Sequence, residues 1–308
     1  MRPGWTAGVT RGRLLLSRAI GREHARAIAG CGSLAEGVAT LAGSAYGERV
    51  QAGNDLMAAE RGIAETLLWH LQILAGWLPA AGAGLVRVLA GWFELANIDA
   101  RVAALASDGR EPTPFALGGL ATGWPRVEEA RTIEEVGEVL AESAWGECGR
   151  GSRAELTLGL RVSYARRVRE VAPEAAAWVG GASALLIARE LLVAGRRGGV
   201  ARLEKLPGVG ERALGASSLS ELRAALPADA AWALDAASDP GELWESELRW
   251  WSEVESDASQ LLRMRGDEAV VLAAVALLAV DAQRTVRALR AAAHGGDPEL
   301  VEWVGGAG

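Results

Sequence analysis

A pattern that recurs three times constrains the architecture of this chain more tightly than any single motif. Ser33-Leu34-Ala35-Glu36 leads into Leu41-Ala42-Gly43-Ser44-Ala45-Tyr46-Gly47, and Thr132-Ile133-Glu134-Glu135 leads into Leu140-Ala141-Glu142-Ser143-Ala144-Trp145-Gly146. A weaker copy, Ser218-Leu219-Ser220-Glu221, leads into Leu226 and then Ala230-Ala231-Trp232. In each, Ser or Thr precedes Glu by three residues. That spacing predicts a capping box, in which the hydroxyl accepts from the third amide and the carboxylate reaches back to the cap amide. A long amphipathic helix is expected after each copy, over roughly 54–78, 152–170 and 240–263, and then a second, apolar helix. The second helices carry Phe93-Glu94-Leu95-Ala96-Asn97-Ile98-Asp99, Leu185-Leu186-Ile187-Ala188-Arg189 and Leu277-Leu278-Ala279-Val280-Asp281. The starts at Ser33, Thr132 and Ser218 step by 99 and 86 residues. Such periods are too long for tetratricopeptide or HEAT units and suit three subdomains of one short and two long helices.

Ala, Leu, Arg and Glu dominate the chain, and no segment sustains the apolar–polar alternation of a strand. The fold expected is therefore all-α. Its three tandem subdomains cover 1–110, 111–198 and 199–308, with the long helices of both termini free to intermix in the first. Joints are expected where glycine, proline or polar residues break the periodicity, at 106–114, 146–151 and 194–215. Leu14, Ala19, Ile20 and Ala27 fit one helical stripe, and Asp239 before Pro240 reads as the N-cap of another helix.

The 308 residues carry a net charge of -7, which argues against nucleic acid or an anionic membrane surface as the main partner. Two cysteines, Cys31 and Cys148, cannot make a zinc site and fit a reducing compartment. His24, His70 and His294 lack a second ligand at metal spacing. Asp235-Ala236-Ala237-Ser238-Asp239 lacks the adjacent aspartates of a Mg²⁺ motif, and Glu94 and Asp99 are spaced to face different sides of a helix. No phosphate-binding Gly-x-x-x-x-Gly-Lys-Ser/Thr loop occurs. No catalytic residue, cofactor or metal is expected. The Leu14-Leu15-Leu16 run is too short for a signal-peptide core, and 71–93, 175–188 and 269–280 are each too short or interrupted to span a bilayer, which takes about 20 apolar residues.

Leu206-Pro207-Gly208-Val209-Gly210-Glu211-Arg212 resembles a helix-hairpin-helix turn, whose amides grip a DNA phosphate. This is the alternative from another functional class, a helical DNA-binding protein. The acidic chain and the scarcity of cations beyond Lys205 and Arg212 weigh toward a linker, so no nucleic acid partner is expected. Of the 12 tryptophans, several sit at helix ends beside turns, among them Trp77, Trp124 and Trp145, where large rings close layers. Trp250 and Trp251 cannot face the same side of a helix, so one of them is a candidate interface anchor. Arg161, Arg166, Arg167 and Arg169 form a basic run, and Arg166 and Arg167 join the two tryptophans as interface candidates.

Three tandem helical subdomains, each with an apolar second helix, resemble the V0D/AC39 family, the C (or d) subunit of V-type and A-type rotary ATPases. Glu94-Leu95-Ala96-Asn97-Ile98-Asp99 is similar to that family's acidic–aliphatic–x–Asn–aliphatic helix. Leu117-Gly118-Gly119-Leu120 is similar to its glycine turn, and Leu140 to Gly146 resembles the start of its next subdomain. The resemblance runs along the whole chain and is best from 60 to 195. Arg284-Thr285-Val286-Arg287 matches the third subdomain's Asn-Leu-Arg-like run only loosely, and lysine is nearly absent. The resemblance implies a funnel of pseudo-threefold symmetry, peripheral on the cytoplasmic face of the membrane. Its implied partners are the central shaft subunits and the membrane proteolipid ring, and its implied task is to pass rotation between them during proton or sodium transport.

Overall fold

The computed structural model of the chain describes residues 2, 4–107, 112–263 and 266–298. The segment 108–111, which holds the expected boundary at 110/111 and most of the 106–114 joint, lies outside them. The described residues form only helices and turns. In chain order the helices are Thr6–Leu16 (α1), Gly21–Ala29 (α2), Leu34–Ala42 (α3), Leu56–Gly76 (α4), Ala80–Leu89 (α5) and Gly91–Ser107 (α6). Trp124–Val127 (α7), Ile133–Ala141 (α8), Arg153–Val171 (α9) and Ala176–Ala188 (α10) follow. Then come Val200–Leu203 (α11), Glu211–Leu214 (α12), Leu219–Ala225 (α13), Ala228–Ala231 (α14), Leu243–Leu261 (α15) and Asp267–Ala293 (α16).

The caps form with one change of register. Ser33, Thr132 and Ser218 each accept from the amide three residues on, at 3.3, 3.1 and 3.2 Å. The glutamate reaches past the cap, however, to the amide before it: Gly32 to Glu36 at 3.1 Å, Arg131 to Glu135 at 2.7 Å, Ser217 to Glu221 at 2.9 Å. Ser152 and Glu155 repeat the device at the start of α9. Among the described residues only Asp239 with Glu242 closes the reciprocal box on the cap amide itself. Either way the carboxylate satisfies an orphan donor and sits at the positive end of the helix dipole.

The first two copies then fold alike. Ser44 and Ser143 each donate to the carbonyl three residues back, Leu41 or Leu140, at 2.7 Å. Each also accepts from the amide of the following aromatic residue, Tyr46 at 3.2 Å or Trp145 at 3.1 Å. Both turns then run across the long helix at its seventh residue, which is glycine in both. A Cβ at Gly62 would stand 2.6 Å from the Arg49 carbonyl, and one at Gly159 would collide with the Cys148 carbonyl. In the third copy Pro227 follows the short helix, and Trp232 caps back on the Asp229 carbonyl at 3.0 Å instead.

The chain packs as two compact units, Met1–Val86 with Trp251–Gly308, and Arg87–Trp250. In the first, α16 is the central helix, packed by α1, α2, α3 and α4. Small residues let the axes approach closely, since a Cβ at Gly12 would lie 3.2 Å from Ala274 and one at Gly37 3.1 Å from Ala292. The single stripe expected over Leu14 to Ala27 is two helices. Gly21 adopts φ +73, a left-handed value that ends one helix and starts the next. The 27-residue α16 is also much longer than the apolar run 269–280, because Asp281, Arg284 and Thr285 are buried within it rather than ending it.

In the second unit α6 packs on α9, and α10 packs on α9, α14 and the turn after α14. Gly180 and Gly181, which interrupt the apolar run in sequence, do not break α10. They admit neighbours: a Cβ at Gly180 would stand 2.7 Å from the Asp229 carbonyl, and one at Gly181 2.8 Å from the Trp232 and Trp250 rings. A π turn, Arg189–Val193, extends the helix. The helical stretch 173–193 and α16 are both long and apolar enough to cross a membrane. They are also core helices, with 61% and 78% of their most apolar windows buried in the protein.

Trp145 is 2% exposed and closes the corner between α8 and α9. Trp145→Ala is expected to lower unfolding stability by about 3–5 kcal/mol in urea titrations, the cost of an uncollapsed cavity at a joint.

Candidate functional site

The feature that the second helices share is a buried carboxylate. Glu94 on α6, Glu190 in the π turn after α10 and Asp281 on α16 are 1%, 5% and 3% exposed. A charge so placed is tolerated only with strong partners, and each finds different ones. Glu94 accepts from the amides of Thr122 (3.0 Å), Gly123 (2.5 Å) and Trp124 (2.6 Å), the start of α7. Asp281 accepts from the amides of Ile20 (3.2 Å) and Gly21 (2.9 Å), the start of α2, and from the Tyr46 hydroxyl (2.9 Å). Glu190 instead takes both arms of the Arg196 guanidinium, at 2.8 and 2.6 Å. Sequence comparison of the second helices ended one residue short of the equivalent acid, at Arg189.

Asn97, three residues after Glu94 and so on the same face of α6, closes a two-point clamp. Its amide donates to the Phe115 carbonyl at 3.0 Å, and its oxygen accepts from the Phe115 amide at 2.7 Å. Phe115 meets Phe93 edge-on at 5.2 Å. The Glu94-x-x-Asn97 motif thus fastens both ends of the 115–124 segment, glycine turn included, to one helix. The matching place on α16 is held by Arg284, 6% exposed and paired with Glu255 at 2.7 Å.

The interface candidates separate. Arg166 is exposed on α9. Arg167 turns inward, its guanidinium 4.5 Å above the Trp145 ring, which marks it as packing for that ring. Burial holds that guanidinium below its ordinary pKa, while the charges of Glu94 and Tyr164 act in the opposite sense. Trp250 is half-buried, with its indole N–H donating to the Trp178 carbonyl at 2.8 Å and its ring against the core. Trp251 is also half-buried, so neither member of the pair is a fully presented ring. Among the described residues the rings that do stand out are Trp77 and Trp244, 54% and 49% exposed. Sequence reasoning placed Trp77 at a helix end and read it as a closing ring.

The Gly208-Val209-Gly210 turn forms, with Gly208 at φ +79, but the helices on either side, α11 and α12, are single turns of four residues. Glu211 opens α12. Both cysteines are buried thiols, and burial raises Cys148 to about 11, far from a reactive thiolate. An open depression of about 290 Å³ beside α7 and α8 is lined by Arg126 with Glu129, Glu135, Glu138 and Glu142. Among the described residues no group of three or more His, Cys, Asp or Glu is placed to hold a metal ion. His70 lies in α4 beside Trp69, and burial, with help from Arg18 and Arg11, lowers it to about 4.

No family model matches this chain, and no curated protein matches it with significance.

Two predictions follow from the buried groups. Glu94→Gln should cost about 2–3 kcal/mol in urea unfolding, because three amides lose a charged acceptor. Glu190→Gln should cost under about 1 kcal/mol, since its Arg196 partner is 55% exposed and can return to water. His70 acts through pH. Above pH 6.5 it is neutral folded or unfolded, and between 6.5 and 4 only the unfolded chain takes up its proton. Stability should therefore fall by about 2–3 kcal/mol between pH 7 and pH 4.5 from this group alone. The fall should be that much smaller in His70→Phe, compared by urea unfolding at both pH values.

Proposed function

We propose that this chain is a non-catalytic coupling subunit of a V/A-type rotary ATPase, linking the central shaft to the membrane proteolipid ring during ion transport. The observation that carries this reading is the threefold recurrence of one unit. It comprises a Ser- or Thr-capped short helix, a long helix, and an apolar helix whose buried carboxylate is Glu94, Glu190 or Asp281. Three related units can surround an axis, and a socket for a turning shaft needs such an arrangement. In this reading the subunit is a funnel on the cytoplasmic side of the membrane.

The mechanical demand fits the local chemistry. A part that passes torque must not yield, and here helix starts are tied both by caps and by carboxylates from distant helices. The Glu94-x-x-Asn97 clamp gives the motif that resembles the V0D/AC39 helix a physical task, fixing the glycine turn to α6. Arg166, exposed on α9, is the candidate contact that stays free to meet a neighbour, whereas Arg167 serves Trp145. The rival DNA-binding role draws less support, because single-turn helices and Glu211 flank the 206–212 loop.

The test is retention. The tagged full-length chain, recovered in detergent from native membranes, should bring down shaft and proteolipid subunits, and should be released when the ring is deleted. Recovery of the chain with neither partner overturns the proposal.

A further inference from the structure

Charge is unevenly distributed along the chain. The first 22 residues carry five arginines and no acid, so the rest holds all 39 acids against the other 27 lysines and arginines. Two of the five arginines are neutralised. Arg2 pairs with Asp267 and Glu268, and Arg22 pairs with Glu255 at 2.7 Å. Arg11, Arg13 and Arg18 have no ion-pair partner among the described residues; Arg13 meets the uncharged Leu262 carbonyl at 3.4 Å. Arg13 and Arg18 are exposed, and the exposed residues between and before them on α1 are uncharged: Thr6, Ala7, Thr10, Leu14 and Ser17. Leu14 is 53% exposed, a large apolar side chain between two free cations.

This helix rests on an uncharged corner. No charged residue occurs from Ile73 to Val86, the end of α4 and most of α5. A Cβ at Gly8 of α1 would collide with Leu78 and lie 3.1 Å from the Trp77 carbonyl, and one at Gly4 would touch Pro79 at 3.7 Å. The corner carries Trp77, 54% exposed, and open space surrounds Gly76 and Gly84 on either side of it. Unpaired arginines, an exposed leucine and an exposed tryptophan thus belong to neighbouring elements of one unit.

We propose that this surface docks on a bilayer bearing anionic headgroups, with Arg13 and Arg18 on lipid phosphates and Trp77 and Leu14 in the interfacial layer. Guanidinium groups hold phosphate through paired, charge-assisted bonds. Tryptophan suits a boundary where one end is apolar and the other wet, and a few cations near the surface add to the apolar contribution. Charge complementarity selects this occupant: the first 22 residues carry five arginines and no acid, whereas the remainder of the chain carries an excess of acid, so an anionic plane attracts this segment more than the chain as a whole. The net charge of -7 argues against such a partner for the chain as a whole, not for this segment. The inference needs neither shaft nor ring, so it stands or falls apart from the rotor reading.

The full-length chain is mixed with protein-free vesicles of phosphatidylcholine alone or of phosphatidylcholine with phosphatidylglycerol, and co-sedimentation is measured at low and high salt. Retention is expected on the anionic vesicles only, weakened by salt. It should drop by about tenfold or more in Arg13→Glu/Arg18→Glu, where surface cations are reversed, and also in Leu14→Ser/Trp77→Ser. These are exposed positions, and circular dichroism with urea unfolding verifies that each variant is folded. Absence of retention on anionic vesicles, equal retention on neutral ones, undiminished retention of both folded variants, or retention only on membranes that carry protein each overturns the proposal.

Discussion

A buried carboxylate that holds the first amides of a distant helix is the interaction on which the rest of this fold depends. The helix that Glu94 grips, α7, is four residues long, and a single turn has no stability of its own in water. The helix start supplies unsatisfied donors, and the apolar second helix supplies an acceptor that would be ruinously placed without them. Each half makes the other tolerable. Asp281 performs the same service for α2 from the centre of the first unit, and adds the hydroxyl of Tyr46, the aromatic that follows the capped helix. One carboxylate there ties three pieces of chain together.

The apolar helix that follows the second copy shows what happens when that bargain changes. Glu190 is as buried as its counterparts but is answered by an arginine only six residues on, in a helix that has widened into a π turn. A local partner satisfies the charge without fastening a distant helix. The stretch 194–215 is accordingly built from single turns, with its apolar residues Leu203, Leu206, Ala213 and Leu214 gathered into the core. The copies therefore differ in their electrostatic anchor more than in their order of elements.

Local features were legible in the sequence, and non-local ones were not. All-helical character, the three capped starts and the long helices near 54–78, 152–170 and 240–263 all follow from side chains acting on their own few neighbours; α4 and α15 lie within those spans, and α9 overruns its span by one residue. The carboxylate anchors were invisible because Asp281 and Gly21 lie 260 residues apart, and periodicity carries no trace of such a pairing. The same blindness made Leu14 to Ala27 look like one helix. At the candidate site, α9 was rightly a basic helix, yet nothing in its sequence separates Arg166, which faces water, from Arg167, which covers Trp145. Trp77 was the opposite case: its position at a helix end was plain, but only the packing of Leu78 and Pro79 against α1 shows that its ring is left outside.

Net charge illustrates the same limit from the side of function. A sum over 308 residues averages an acid-free, arginine-bearing first helix into an acidic whole, and the exclusion drawn from the sum concerns the whole alone. Interaction with a charged plane is decided within about a Debye length, roughly 8–10 Å in ordinary salt, which is a helix diameter rather than a protein diameter. What counts is therefore which cations are already spent on neighbouring carboxylates. Arg2 and Arg22 are spent, and among the described residues Arg13 and Arg18 meet no carboxylate. The excess of acid elsewhere in the chain works against such an attraction, so the proposed docking rests on this first helix and not on the protein as a whole.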